Sequence, residues 1–170
     1  MDQLAARPRQ GPRHPDHLAA LLGDDEEAQW QAARHFSGTI VHQTSVWPPS
    51  PDAFGWLIRV LRVKPLPERV LEECLGALAE SGQYVGETVD TVPELSKGAR
   101  KWLRKFGKKH DDEHDLVWEE FLQTDASQEV WEWELARMAT LRPAVLELAA
   151  ELAGRAPKAC DDLREAWQVK

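Results

Sequence analysis

Two histidines separated by an acidic run form the sharpest candidate for a chemical site in this sequence. His110 and His114 flank Asp111-Asp112-Glu113, and the order His-x-x-Glu-His is the pattern of one class of zinc peptidases. Residues four apart on a helix share one face, which is the spacing that two imidazole ligands of one metal ion need. Glu134 lies on the apolar arc of a later predicted helix and would supply a third ligand. These residues make a metal-dependent hydrolase one hypothesis.

A structural interpretation of the same residues is the stronger one. Carboxylates in the first turn of a helix interact favourably with the helix dipole, which explains the acidic residues after His110 without a metal. Histidines at the inner edge of a helix are commonly hydrogen-bonded core residues, and short motifs of this kind also arise by chance. We therefore expect no metal, no cofactor and no enzymatic activity. The hydrolase that uses His110, His114 and Glu134 is kept as the alternative.

His42 and Gln43 form a second polar pair, in a predicted loop between two helices. No nucleophile or acid stands at a spacing that would make the pair catalytic. Polar side chains in such loops commonly bond to the unpaired backbone groups at helix ends. Capping is the leading interpretation, and a binding role for His42 and Gln43 stays open.

The composition is that of a soluble globular protein with an acidic surface. The chain has 170 residues, of which 42% are apolar and 29% charged, and its net charge is −8. This charge argues against general nucleic-acid binding, which needs a basic surface, and it would attract a basic partner. No apolar run approaches the ~20 residues of a membrane span, and the N-terminus has no apolar run of signal-peptide type. We expect a cytoplasmic protein in which Cys74 and Cys160 are reduced core residues.

Apolar residues recur with helical spacing from about residue 16 almost to the end, and no convincing strand run interrupts them. The pattern predicts a flexible arm over residues 1–15 and a single all-α domain over residues 16–170. The predicted helices lie at about residues 16–22, 24–38, 51–63, 68–81, 92–106, 111–123 and 127–141, with one that Pro143 opens and a last one that carries Cys160, Leu163 and Trp167.

A repeat is visible in the first half of the chain. Leu22 and Leu61 each precede a helix boundary, and they are 39 residues apart. This spacing is close to the period of about 40–47 residues in HEAT and armadillo repeats. No regular continuation follows in residues 92–170.

The segment between the two predicted repeats carries a short motif, His42-Gln43-Thr44-Ser45-Val46-Trp47. An apolar helix from Phe54 to Leu61 follows it, and then a helix that contains Leu75 to Glu80. With these features residues 18–81 resemble a group of bacterial HEAT-repeat-like proteins. The resemblance implies an α-solenoid of antiparallel helix pairs that acts as an interaction module. Some members of this group resemble immunity proteins that neutralise secreted toxins.

The expected function is therefore a non-enzymatic protein-binding module. Its most concrete form is an immunity or inhibitor protein that binds and occludes a basic toxin or effector, without contacting nucleic acid or membrane. A scaffold inside a larger complex is a further hypothesis. The candidate partner-binding residues are acidic side chains on two helices together with two exposed aromatic anchors: Glu72, Glu73, Glu80, Asp24, Asp25, Trp47 and Trp133.

Basic residues crowd one face of the helix predicted over residues 92–106 and the residues just after it, from Lys97 to Lys109. Residues 111–134, which follow it, are strongly acidic. Packing of the two segments against each other would place opposite charges side by side, and this intramolecular arrangement is the leading interpretation. Binding of phosphate, a membrane or nucleic acid by the basic face is the alternative.

Overall fold

The computed structural model describes residues 19–42, 45–46, 50–85, 91–106, 124 and 126–168. This part of the chain is helical apart from one hairpin of two-residue strands, β1 (Val41–His42) and β2 (Ser45–Val46), which confirms the all-α fold class. None of its helices is long and apolar enough to cross a membrane. The helices are α1 (Glu26–Ile40), α2 (Ser50–Val63), α3 (Glu68–Gly82), α4 (Lys97–Phe106), α5 (Ala126–Ala139), α6 (Arg142–Leu152) and α7 (Pro157–Trp167).

The start of α1 is the one that its sequence predicts. The Asp25 carboxylate accepts hydrogen bonds from the backbone N–H groups of Glu27 and Ala28, at 3.0 and 3.1 Å, and so caps the helix. The predicted end at Gly38 is wrong by two residues, because α1 continues through Gly38 to Ile40.

The predicted start of α4 is also wrong. Apolar periodicity extends back to Val92, but the helix begins at Lys97. Ser96 stands before it as an N-cap, and its hydroxyl accepts a hydrogen bond from the N–H of Ala99 at 3.2 Å. Glu129 of α5 in turn accepts hydrogen bonds from the backbone N–H and the hydroxyl of Ser96. The Ser96 cap and the Glu129 carboxylate, which is distant in sequence, therefore set the start of α4 rather than the local apolar pattern.

Two rows of helices form the main core. α3 packs against α1 on one side and against α7 on the other, and α2 makes less extensive contacts with α6 and α5. α6 and α7 are joined by four residues and also pack together. The row α1–α3–α7 and the row α2–α6 thus lie against each other, while α4 packs on α5.

Helices α1, α3 and α7 run in the same direction. Arg69 in the first turn of α3 reaches Glu26 and Glu27 in the first turn of α1. At the other end of α3, Trp167, the last residue of α7, donates its indole N–H to the carbonyl oxygen of Leu78 at 2.7 Å. The first turn of α7 carries Lys158, whose charge interacts with that of Glu72 one turn into α3.

The apolar stripes predicted for α2 and α3 are mostly confirmed. The side chains predicted to face the core are buried, namely Phe54, Leu57, Ile58, Leu61, Val70, Leu71, Cys74, Leu75 and Leu78. The helical spacing of Trp56, Val60 and Val63 predicts a second buried side of α2, but 78% of Val63 is exposed at the last residue of the helix. Both cysteines are buried free thiols, and burial raises the pKa of Cys74 to about 12, so they are core residues as predicted.

Candidate binding surfaces

The acidic start of α1 is engaged by the protein itself. Lys64, just after α2, forms an ion pair with Asp24 at 2.7 Å, and this contact lowers the pKa of the Asp24 carboxyl. Asp25 is the cap of α1. Two carboxylates proposed for partner binding therefore already have intramolecular roles.

Arg69 of α3 neutralises the next two carboxylates. Its guanidinium pairs with Glu26 at 2.8 Å and with Glu27 at 3.0 Å, and it lies 5.1 Å from the ring centroid of Trp30. Hydrogen bonds from the side chains of Gln31 and Arg69 lower the pKa of Glu27. The sequence spacing predicts a pair between Arg69 and Glu73 on the same helix, and that prediction is wrong because α1 supplies closer carboxylates.

The polar side of α3 is different. Glu72 and Glu80 are exposed and Glu73 is half-buried, and none of the three forms an ion pair within the part of the chain that the structure describes. We call these three residues the α3 acidic face. It lies on the middle helix of the row α1–α3–α7, so its backbone is held from both sides.

Several predicted site residues lie outside the described residues. These are Trp47, Gln43, His110 and His114, together with the side chain of His42. Among the residues that are described, no three His, Cys, Asp or Glu side chains are grouped so that they could hold a metal ion.

Glu134 is described, and it is buried. It lies between Val130 and Met138 on the inner side of α5, as its spacing predicts, and only 1% of it is exposed. Neither carboxyl oxygen has a hydrogen-bond partner among the residues that the structure describes, and the guanidinium nitrogen of Arg137 is 3.9 Å away. Burial raises the pKa of this carboxyl to about 9, Arg137 acts against that rise and Asp52 adds to it. The group therefore holds a proton at neutral pH.

Arg137 connects this buried carboxyl to the surface. Its guanidinium pairs with Asp52 in the first turn of α2 at 2.6 Å. The same group lies 4.6 Å from the ring centroid of Trp133, so the indole is stacked on a cation. Trp133 is half-buried and packs on the apolar cluster that Leu95, Ala99 and Val130 form.

A groove that the sequence did not predict lies beside Trp133. It is open to solvent, has a volume of about 560 Å³ and is bordered by α4, α5 and the segment before α4. Its lining combines apolar side chains with two arginines and one glutamate: Val92, Pro93, Leu95, Leu103, Trp133, Arg100, Arg104 and Glu94. The signals that could have found it were the basic spacing of Arg100 and Arg104 and the position of Trp133 off its apolar stripe. We call this cavity the α4 groove.

Comparison of this chain with protein-family models, with curated proteins and with solved structures finds no match. The candidate surfaces are therefore interpreted from their own residues.

Proposed function

We propose that this protein is a non-enzymatic binding module whose α3 acidic face docks on a basic protein partner. The observation that carries the proposal is that the carboxylates of this face lack ion pairs within the described residues, whereas most other exposed carboxylates on neighbouring helices are paired. The paired groups are Asp24 with Lys64, Glu26 and Glu27 with Arg69, Asp52 with Arg137, and Glu147 and Glu151 with Arg62.

Carboxylates without ion pairs increase the rate of association mainly through the electrostatic field that they produce. A partner of opposite charge is steered to such a face, which raises association rates by roughly 10–10³-fold at low salt. The net charge of −8 adds a long-range attraction of the same sign. Since α3 is packed between α1 and α7, the face is presented without a cost for ordering a loop.

The helical arrangement supports the HEAT-like part of the proposal. Repeat solenoids stack equivalent helices in rows, and each repeat contacts its neighbours. α2 with α3, and α6 with α7, would be two such repeats, because α2 contacts α6 and α3 contacts α7. α1 would be the second helix of a preceding repeat, and α4 with α5 an insertion between repeats. The parallel directions of α1, α3 and α7 agree with this assignment.

A toxin-neutralising role is the most concrete version of this proposal. In it the module covers the working surface of a basic toxin or effector, in the way that the resemblance to immunity-type proteins implies. A cytoplasmic location belongs to the same proposal, and the two buried free thiols are compatible with a reducing compartment. For the hydrolase alternative the described residues provide no supporting cluster. A tightly held ion that is lost on changing His110→Ala and His114→Ala would favour it.

Affinity capture with three forms of the protein tests the proposal. The first is wild type, the second carries Glu72→Lys, Glu73→Lys and Glu80→Lys, and the third carries the same charge change outside α3. Suitable control positions are the exposed glutamates Glu94, Glu132 and Glu147, because Arg62 keeps Glu151 as its ion-pair partner when Glu147 is changed. We expect the wild-type and control forms to retain a basic protein and the α3 variant to lose it.

Two results would contradict the proposal. One is a captured protein that all three forms retain equally, which would place binding on another surface. The other is retention of small substrates or of a metal ion instead of a protein. If a toxin is captured, its activity should fall in proportion to the amount of wild-type protein added.

A further inference from the structure

Helix α4 carries a concentration of positive charge. Hydrogen bonds from Ser96 lower the pKa of the Glu129 carboxyl, and of the α4 cations Arg100 lies close enough to help lower it. Lys97, Arg100, Lys101 and Arg104 are exposed, and none of them forms an ion pair within the described residues. On other helices the described arginines commonly meet carboxylates, for example Arg62, Arg69, Arg137 and Arg164. A basic patch that forms no ion pair with any described residue is unexpected in a chain with a net charge of −8.

The apolar side of α4 is already covered. Leu95 and Ala99 are buried against Val130 of α5, and the partly buried Trp102 and Leu103 pack on the same cluster. The start of the helix is fastened by the bonds between Ser96 and Glu129. An amphipathic helix that inserts into a membrane needs a free apolar face, so this packing disfavours a lipid surface as the ligand of α4.

Two of the four cations face a cavity. Arg100 and Arg104 line the α4 groove, whereas Lys97 and Lys101 do not. The remaining lining is largely apolar, and it includes Trp133, whose ring is held by the Arg137 guanidinium. A fixed aromatic side chain beside arginines is the composition that binding hot spots favour.

The chemistry of the lining selects a class of ligand. Arginine binds carboxylates through two parallel N–H donors, and two arginines four residues apart on a helix lie about 5–6 Å apart at their Cβ atoms. Carboxylates alone would leave the apolar lining uncovered, so the ligand must also carry a large apolar group. Glu94 at the edge of the groove disfavours a dense polyanion such as RNA.

We propose that the α4 groove is a second docking site, which binds a peptide segment of a partner protein with carboxylates beside a large apolar side chain. The carboxylates would pair with Arg100 and Arg104, and the apolar side chain would lie against Trp133 and Leu103. This site has the opposite charge preference from the α3 acidic face and lies on another pair of helices. It therefore stands or falls independently of the proposed function.

Binding of synthetic peptides to the full-length protein tests this site. The probe is a short fluorescent peptide in which Asp and Glu residues flank one Trp, and two reference peptides replace either the acids by Asn and Gln or the Trp by Ser. We expect measurable, salt-dependent binding of the probe and much weaker binding of both references. Fluorescence anisotropy gives the dissociation constants.

A matched pair of charge reversals on one helix locates the site. Arg100→Glu with Arg104→Glu should weaken probe binding by roughly tenfold or more, because these side chains line the groove. Lys97→Glu with Lys101→Glu makes the same charge change on α4 outside the groove and should weaken binding only a few-fold. Trp133→Ala should also weaken binding, and Trp133→Phe keeps a ring in place if the alanine variant folds poorly.

Five outcomes would overturn the proposal. Equal losses in the two charge-reversal variants would indicate general attraction to a basic helix. Competition by inorganic phosphate or by a short RNA at the concentration that the probe needs would identify an anion site. A Trp133→Ala variant that folds as wild type and loses binding no more than the lysine control would show that the indole ring is not an anchor. The last two outcomes use a variant in which the acidic residues within 111–120 of the same chain are changed to Asn and Gln. If neither wild type nor this variant binds the probe, the groove binds no such peptide. If only the variant binds the probe, the ligand of the groove is the acidic segment of the chain itself.

Discussion

Glu134 shows how much one side chain depends on the elements around it. Its four-residue spacing from Val130 and Met138 places it on the inner side of α5, and this position follows from the sequence alone. Its protonation state does not, because that state depends on burial and on the positions of Arg137 and Asp52, which belong to different turns and helices. A buried carboxyl without a hydrogen-bond partner is destabilising in its charged form.

Replacement of this carboxyl should make the protein less sensitive to alkaline pH. The pKa of Glu134 is about 9 in the folded protein against an ordinary value of 4.5, so the folded state binds more protons between these values. The contribution of Glu134 to the free energy of unfolding is fully present below pH 4.5 and is lost as the pH rises toward about 9. Glu134→Gln should therefore gain stability over wild type with rising pH, by up to roughly 1.4 kcal/mol per pH unit.

Urea unfolding followed by circular dichroism at pH 5, 6, 7 and 8 gives the free-energy difference between the two forms. Glu132→Gln is the matched control, since Glu132 is exposed on the same helix. A difference between Glu134→Gln and wild type that stays constant with pH would show that the Glu134 carboxyl is ionised in the folded protein.

At the scale of elements, the close contact between α3 and α7 depends on Gly82, which has no side chain. Trp167 lies against Gly82, and a Cβ atom at Gly82 would overlap its indole ring. The same ring is fully buried and hydrogen-bonded to Leu78. Glycine at position 82 therefore permits the close approach of the two helices.

The change Gly82→Ala should destabilise the protein by about 1–3 kcal/mol, because the indole or the helix must shift. Gly76 is the matched control in the same helix, since a Cβ atom added there meets no other atom within 4 Å. Gly76→Ala should instead stabilise by about 0.5–1 kcal/mol through its helix propensity. Equal effects of the two substitutions in urea unfolding would contradict the close contact.

The sequence predicts helices better than it predicts their partners. Periodicity identifies the buried stripe of α3 because each residue of that stripe lies within one element. The partner of Arg69 and the N-terminus of α4 were predicted wrongly, since α1 and Glu129 lie far from them in sequence. For the same reason the α4 groove, which combines side chains of two helices and a loop, leaves only weak traces in the residue order.

At the scale of the molecule, the order of helices explains why the repeat is visible only in part. α1 and α3 begin about one repeat apart, at Glu26 and Glu68, while α3 and α7 begin at Glu68 and Pro157. α4 and α5 lie within the longer interval, so a fixed period fails there even though α7 packs on α3. An insertion of this kind is compatible with the proposed stack and places the α4 groove away from the main core.

The two candidate surfaces also divide the molecule by charge. The α3 acidic face lies in the row of long helices, and the α4 groove is built on the pair α4 and α5. Interactions of opposite sign on separate elements would let one partner be held without competition from the other. Because the two surfaces lie on separate elements, changes in the α3 acidic face alone test the proposed function.

The association rate of the captured basic partner, measured by stopped flow over a range of salt concentrations, tests the central claim most directly. Wild type and the control variant of Glu94, Glu132 and Glu147 should associate fast at low salt and slow steeply as salt screens the charges. The variant with Glu72→Lys, Glu73→Lys and Glu80→Lys should associate several-fold more slowly and with little salt dependence. An α3 variant that associates at the wild-type rate at every salt concentration, with its helical spectrum unchanged, would contradict the assignment of binding to this face.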